Sequence, residues 1–223
     1  IDLYPEFTGT ALNLLKIKSS FDAQKDYDTI KKDYEQQYKI TWLDRAANLN
    51  DGYALCMAKA QSQALGITTL SQLAPKVSQL ILETPSDGTA FVDDLKTTYG
   101  FDTNSFKQTQ TVNYSIGVTA VAKDQAQVTV CYTTDGSIPQ QNLVFLRDDK
   151  NGFPAFNPAP IVRDAVLSKY PEIATSLNPL APYLTTDVSV SLQKQVAAKK
   201  ANESTTQAIK DVATAFLQSK KLY

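Results

Sequence analysis

The sequence predicts an α/β protein. Two observations carry the prediction. Short apolar or β-branched runs alternate along the chain with segments of helical periodicity. Two turn-rich stretches, Asn48 to Gly52 and Lys150 to Pro160, bracket the middle of the chain. At 223 residues the chain can bury one large domain or two small lobes.

Taken in order, Asp26 to Tyr38 reads as a helix, with Tyr27, Ile30, Tyr34 and Tyr38 on one face. Ile40 to Leu43 and Tyr53 to Met57 follow as strands. Thr69 and Gln72 have the spacing of a capping box before a short helix. Asp87-Gly88-Thr89 opens another helix, which Gly100 ends as a C-cap. Gln127 to Tyr132 and Leu143 to Leu146 read as strands. Helices are expected at Val162 to Lys169, Asp187 to Lys200 and Thr205 to Lys220. The last places Ala208, Ile209, Val212, Ala213, Phe216 and Leu217 on one apolar stripe. The two turn-rich stretches read as crossings between two lobes.

Composition removes several functions. Lys and Arg number 22 against 23 Asp and Glu, so no net field draws nucleic acid or anionic lipid. No apolar run approaches the ~20 residues of a membrane span. There is no histidine, hence no imidazole base or metal ligand. Serines and threonines therefore have no histidine partner, and no Gly-rich phosphate loop occurs. The acid pairs Asp93-Asp94, Asp148-Asp149 and Glu83 with Asp87 read as solvated carboxylates. No enzyme activity, cofactor or metal is expected. Cys56 and Cys131 lack metal spacing. Buried free thiols are the commoner reading for such a pair, and a disulfide is the alternative; spacing alone does not bring the sulfurs together. The chain opens on Ile1 rather than Met and shows no signal peptide, so a processed chain or a fragment is expected.

Four aromatic side chains then stand out: Phe7, Tyr53, Tyr132 and Phe156. They lie in Tyr4-Pro5-Glu6-Phe7-Thr8-Gly9-Thr10, Asn50-Asp51-Gly52-Tyr53-Ala54-Leu55, Cys131-Tyr132-Thr133-Thr134-Asp135-Gly136 and Pro154-Ala155-Phe156-Asn157-Pro158-Ala159-Pro160. Aromatics beside turns are usually core plugs. Brought together, their ring faces attract a quaternary ammonium group.

These motifs, in this order, resemble the substrate-binding proteins of osmoprotectant ABC importers, the glycine betaine/carnitine/choline family. The likeness extends to Leu146-Arg147-Asp148-Asp149-Lys150, Pro160-Ile161-Val162-Arg163 and Tyr170-Pro171-Glu172, and covers essentially the whole chain. It implies a two-lobe fold of the type II periplasmic-binding-protein kind with a ligand cleft between the lobes. Residues 1–48 and 156–223 would form the first lobe and 49–155 the second. The resemblance makes Tyr53 and Tyr132 cage residues. Phe7 and Phe156 stand where the family usually has tyrosine, which keeps the ring and loses a hydroxyl. Asp51 matches a family aspartate near the cationic head, although Asn-Asp-Gly is also a plain turn. Thr10 matches a position whose hydroxyl reaches the ligand's polar end; a helix N-cap is its other reading.

Two departures matter. Family members carry a further strand-helix-strand stretch before the Tyr-Pro-Glu motif, so the first lobe is expected to be incomplete. Betaine-binding members place an arginine in the second lobe, whereas no arginine lies between Arg45 and Arg147 here. The resemblance thus implies an extracytoplasmic, non-enzymatic receptor, periplasmic or lipid-anchored at the outer face of the cell membrane. It would be a monomer that captures a choline-type or betaine-type ligand and passes it to the membrane permease of an ABC transporter. Carnitine or ergothioneine as ligand, or a sensory role for the same fold, are the alternatives.

Overall fold

The computed structural model describes residues 1–200 and 204–222. Strand β1 (Leu3–Phe7) runs into helix α1 (Thr8–Leu15), followed by α2 (Ala23–Tyr38) and β2 (Ile40–Trp42). The middle of the chain forms β3 (Tyr53–Ala58), α3 (Lys59–Leu65), α4 (Leu70–Leu73), β4 (Ile81–Thr84) and α5 (Thr89–Tyr99). It continues through β5 (Gln108–Thr111), α6 (Tyr114–Ala122), β6 (Val128–Tyr132), α7 (Ser137–Gln140) and β7 (Leu143–Phe145). Then come β8 (Pro158–Arg163), α8 (Asp164–Lys169), α9 (Glu172–Leu177), α10 (Thr186–Lys199) and α11 (Thr205–Ser219). Among the described residues no helix is long and apolar enough to cross a membrane.

The chain divides into two compact units, Ile1–Asp51 with Pro154–Tyr223, and Gly52–Phe153. Local hydrogen bonds explain where the first unit stops. Asn157 donates to the carbonyls of Ala47 and Leu49 at 3.3 and 2.8 Å. Asn50 accepts from Phe156 N at 2.7 Å, and Asp51 N reaches Phe156 O at 3.0 Å. Gly52, by contrast, exchanges bonds with Thr133 of the second unit.

In the first unit, β1, β8 and β2 form an antiparallel sheet in that order. Helices α1 and α2 bring Ala11, Leu12, Tyr27, Ile30 and Tyr34 against Trp42, Ala159 and Ile161. The α2 helix begins at Ala23, three residues before the expected Asp26, because Asp22 caps it by accepting from Gln24 N and Lys25 N.

The helix expected at Val162 to Lys169 begins two residues later. Val162 and Arg163 end β8, and only Asp164–Lys169 is helical. Two prolines disguise this central strand, since proline lacks the N–H a ladder uses. Pro158 and Pro160 turn their carbonyls toward Ala46 N and Leu43 N, each at 2.9 Å. Their neighbour there is the single segment after β2, which donates and asks for no N–H in return. The α11 stripe is also narrower than expected. Ala208 and Val212 are buried, while Ile209 and Ala213 lie exposed at its rim.

In the second unit the five-stranded sheet runs β5-β4-β6-β3-β7. Strand β4 pairs in parallel with β5 and β6, while β3 pairs antiparallel with β6 and β7. Alternation along the strands feeds two cores. Leu55, Met57, Leu82, Val128 and Val130 face α5 and α4, and Ala54, Cys56 and Cys131 face α6. Cys56 and Cys131 are joined as a disulfide, against the free-thiol reading. The antiparallel register explains it: Cys56 opposes Thr129 and Cys131 opposes Ala54, so the cysteines are diagonal neighbours on one face. Thr69 and Gln72 make their capping box, and Gly100 ends α5 at a φ of 79°.

Candidate functional site

The second unit contains a continuous run of four rings. Tyr53 opens β3 and Tyr132 closes β6, and the two are direct partners in the antiparallel register. Their ring centroids are 5.4 Å apart. Phe91, from the first turn of α5, stacks on Tyr53 at 4.2 Å and 24°. Tyr114, the first residue of α6, lies 4.8 Å from Tyr132. All four rings are half-buried. The order Phe91–Tyr53–Tyr132–Tyr114 thus spans two strands and two helix starts.

Two carboxylates fix this array. Asp87 Oδ2 accepts from the hydroxyls of both Tyr53 and Tyr132 at 3.2 Å. Asp135 Oδ2 accepts from the Tyr114 hydroxyl at 2.5 Å. Asp135 is itself held, since its other oxygen accepts from Ser137 N, at the start of α7, at 2.8 Å. Burial first, and the nearby carboxylate next, push the Tyr53 hydroxyl well above the ordinary tyrosine range. Burial and the bond to Asp135 do the same for Tyr114. Both hydroxyls stay protonated at any working pH. The chemistry presented is therefore π faces with anionic oxygens behind them, which suits a soft cation.

The six predicted contacts divide between the units. Tyr53 and Tyr132 come together in the second unit as described. Phe7, Thr10, Asp51 and Phe156 belong to the first. Phe7 is the half-buried last residue of β1 and the N-cap of α1. Phe156 is buried, and its ring lies so close over Gly9 that a Cβ there would sit 2.5 Å from it. Asp51 is half-buried. Thr10 is exposed inside α1 and is not an N-cap; that place belongs to Phe7. Thr8 does the anchoring instead, donating to Ala155 O at 2.8 Å and accepting from Asn157 N at 3.0 Å.

Sequence reasoning missed Phe91, Tyr114, Asp87 and Asp135. The first two start helices and lack the turn motifs that marked the others. Four acids expected to be solvated are bonded, among them Asp149, which accepts from Ser71 N at 3.1 Å. Besides Asp87, Asp93 accepts from Thr103 N and Oγ1 at 3.0 and 2.6 Å. Asp148 accepts from Gly152 N, Phe153 N and the Tyr99 hydroxyl. Glu83 is buried in mid-sheet, between Gln110 of β5 and Thr129 of β6, and its Oε2 has no hydrogen-bond partner among the described residues. Lys96 pairs with Asp102 at 2.6 Å. Among the described residues no cluster of three or more acids or cysteines is placed to hold a metal.

Comparison with known proteins gives a consistent picture. Residues 1–219 match the family model for the substrate binding domain of ABC-type glycine betaine transport systems. The chain is 30% identical over 195 residues to a glycine-betaine-binding protein of Pseudomonas aeruginosa, covering 81% of this chain and 61% of that one. It is 28% identical over 200 residues to an ergothioneine transport permease/ergothioneine binding protein of Helicobacter pylori, covering 89% of this chain and 36% of that protein. The chain thus spans less than two thirds of either relative. Among solved structures, one described as a glycine betaine/carnitine/choline ABC transporter superposes with a TM-score of 0.80 at 24% identity, covering 99% of this chain and 79% of that one. This likeness carries the fold: α/β, of the type II periplasmic binding protein kind.

Proposed function

Because the chain belongs to the family of substrate-binding domains of ABC-type glycine betaine transport systems, we propose that it captures a quaternary ammonium solute outside the cytoplasm. It then presents the bound solute to the permease of an ABC importer. The observation that carries this reading is the four-ring array Phe91–Tyr53–Tyr132–Tyr114 with Asp87 behind it. Each ring face that meets a trimethylammonium contributes about 0.5–2 kcal/mol, depending on how far water is excluded. Phe7, Thr10, Asp51 and Phe156 are the contacts proposed for the first unit.

Within that class the ligand is choline rather than glycine betaine. A carboxylate taken out of water without a cationic or multi-donor partner costs several kcal/mol. The second unit's only arginine is Arg147, an exposed residue beyond β7. Arg45 is bonded to Asn157 and Gln24 at 2.8 and 2.9 Å. Calorimetric titration with choline, glycine betaine, carnitine and ergothioneine tests the reading. Choline should bind tightest. Betaine binding as tight as choline would overturn the ligand assignment, and no binding across the panel would overturn the function.

A further inference from the structure

The hydrogen-bond polarity of the second unit's ring array has a consequence for the ligand's other end. A tyrosine hydroxyl has one proton to give. Tyr53 and Tyr132 both direct theirs to Asp87 Oδ2, and Tyr114 directs its own to Asp135 Oδ2. Phe91 has none. Some neighbouring groups are committed in the same way. Tyr132 N reaches the Tyr114 hydroxyl oxygen at 3.4 Å, and Asp135 N bonds Tyr132 O at 3.0 Å. Thr133 N bonds Gly52 O at 3.0 Å, and Gly52 N bonds Thr133 Oγ1 at 3.1 Å. Thr84 Oγ1 donates to Pro85 O at 3.0 Å. The three tyrosine hydroxyls thus spend their protons inside the array, beside one exposed carboxylate, Asp87.

We propose that Asp87 is a specificity-determining positioning residue: by taking the protons of Tyr53 and Tyr132 and placing an exposed negative charge beside their rings, it selects cations whose polar tail donates a hydrogen bond over those whose tail is a carboxylate. This rests on the quaternary ammonium reading above and deepens it. An alcohol tail brings a donor. A carboxylate tail brings only acceptors and meets a like charge, so it is rejected twice. Asp87 also acts geometrically. One oxygen shared by two hydroxyls ties together rings from β3 and β6 that are already register partners.

The test titrates tetramethylammonium, choline and glycine betaine into the wild-type chain, Asp87→Asn and Asp87→Ser. Asp87→Asn keeps an oxygen for the tyrosines, adds an N–H donor and removes the charge. All three ligands share a cationic head, so loss of charge on that head cancels in the choline-to-betaine affinity ratio. Asp87→Asn should lower that ratio at least tenfold, and Asp87→Ser should lower it in the same direction. Both variants should also bring the tyrosine absorbance titration to lower pH, because the carboxylate no longer opposes ionisation. Binding of tetramethylammonium and choline with an unchanged ratio in both variants would overturn the selectivity role and leave the cage standing. Failure of wild type to bind any of the three would instead overturn the cage reading beneath it.

Discussion

At the scale of single residues, the rings and the glycine beneath one of them are the most testable features. Tyr53 and Tyr132 each give one face to the array and one hydroxyl to Asp87. Tyr53→Ala and Tyr132→Ala should each weaken choline binding by about 1–3 kcal/mol, with near-native far-UV dichroism. Near-wild-type affinity in both would remove the array from the account. Gly9 has a different role. Its missing side chain admits the Phe156 ring, and a Cβ would meet three ring atoms at 2.5 to 2.7 Å. Gly9→Ala should displace Phe156 and cost about 1–3 kcal/mol of stability, read as a lower denaturant midpoint. Tyr53 and Tyr132 stood out as candidates through the resemblance of their motifs to the family's, since aromatics beside turns are otherwise usually core plugs. Asp87 was not legible: its partners lie 34 and 45 residues away, and nothing local separates it from a solvated acid.

At the scale of elements, the sheet of the second unit carries two unusual features. The Cys56–Cys131 disulfide spans 75 residues and clamps β3 to β6, the strands that hold Tyr53 and Tyr132. Replacing both cysteines with serine should destabilise the unit by about 2–5 kcal/mol. The loss should appear as a lower thermal midpoint; an unchanged midpoint would show the bond to be incidental. Glu83 is the second feature. Burial pushes its carboxyl above the usual carboxylate range. Its folded state therefore holds the proton more firmly than the unfolded state does. That stabilisation is complete below the unfolded value of about 4.3 and is lost as pH rises through the folded one. Glu83→Gln should raise the urea midpoint at pH 7 relative to wild type and leave it nearly level at pH 4. An equal shift at both values would exclude ionisation as the cause. Helix ends were legible where a cap marks them, as at Gly100 and Thr69. Strand β8 was not, because Pro158 and Pro160 argue against a central strand until the segment Leu43–Ala46 is seen beside it.

At the scale of the whole molecule, the net charge is near zero and there is no histidine, and the proposed recognition rests on rings and fixed carboxylates. The α/β class was legible from alternation alone, and the family from the order of its aromatic motifs, which the match over residues 1–219 supports. The full array was not, since half of its rings come from helix starts brought together by the sheet. The central claim is that these rings hold a positive charge and not merely an apolar shape. Choline and its neutral isostere 3,3-dimethylbutan-1-ol have nearly the same size and the same hydroxyl, and differ in the charge. Calorimetric titration of both into the wild-type chain isolates that difference. The account predicts that choline binds at least tenfold more tightly, a gap of about 1.4 kcal/mol or more. Equal affinity for the two would contradict it.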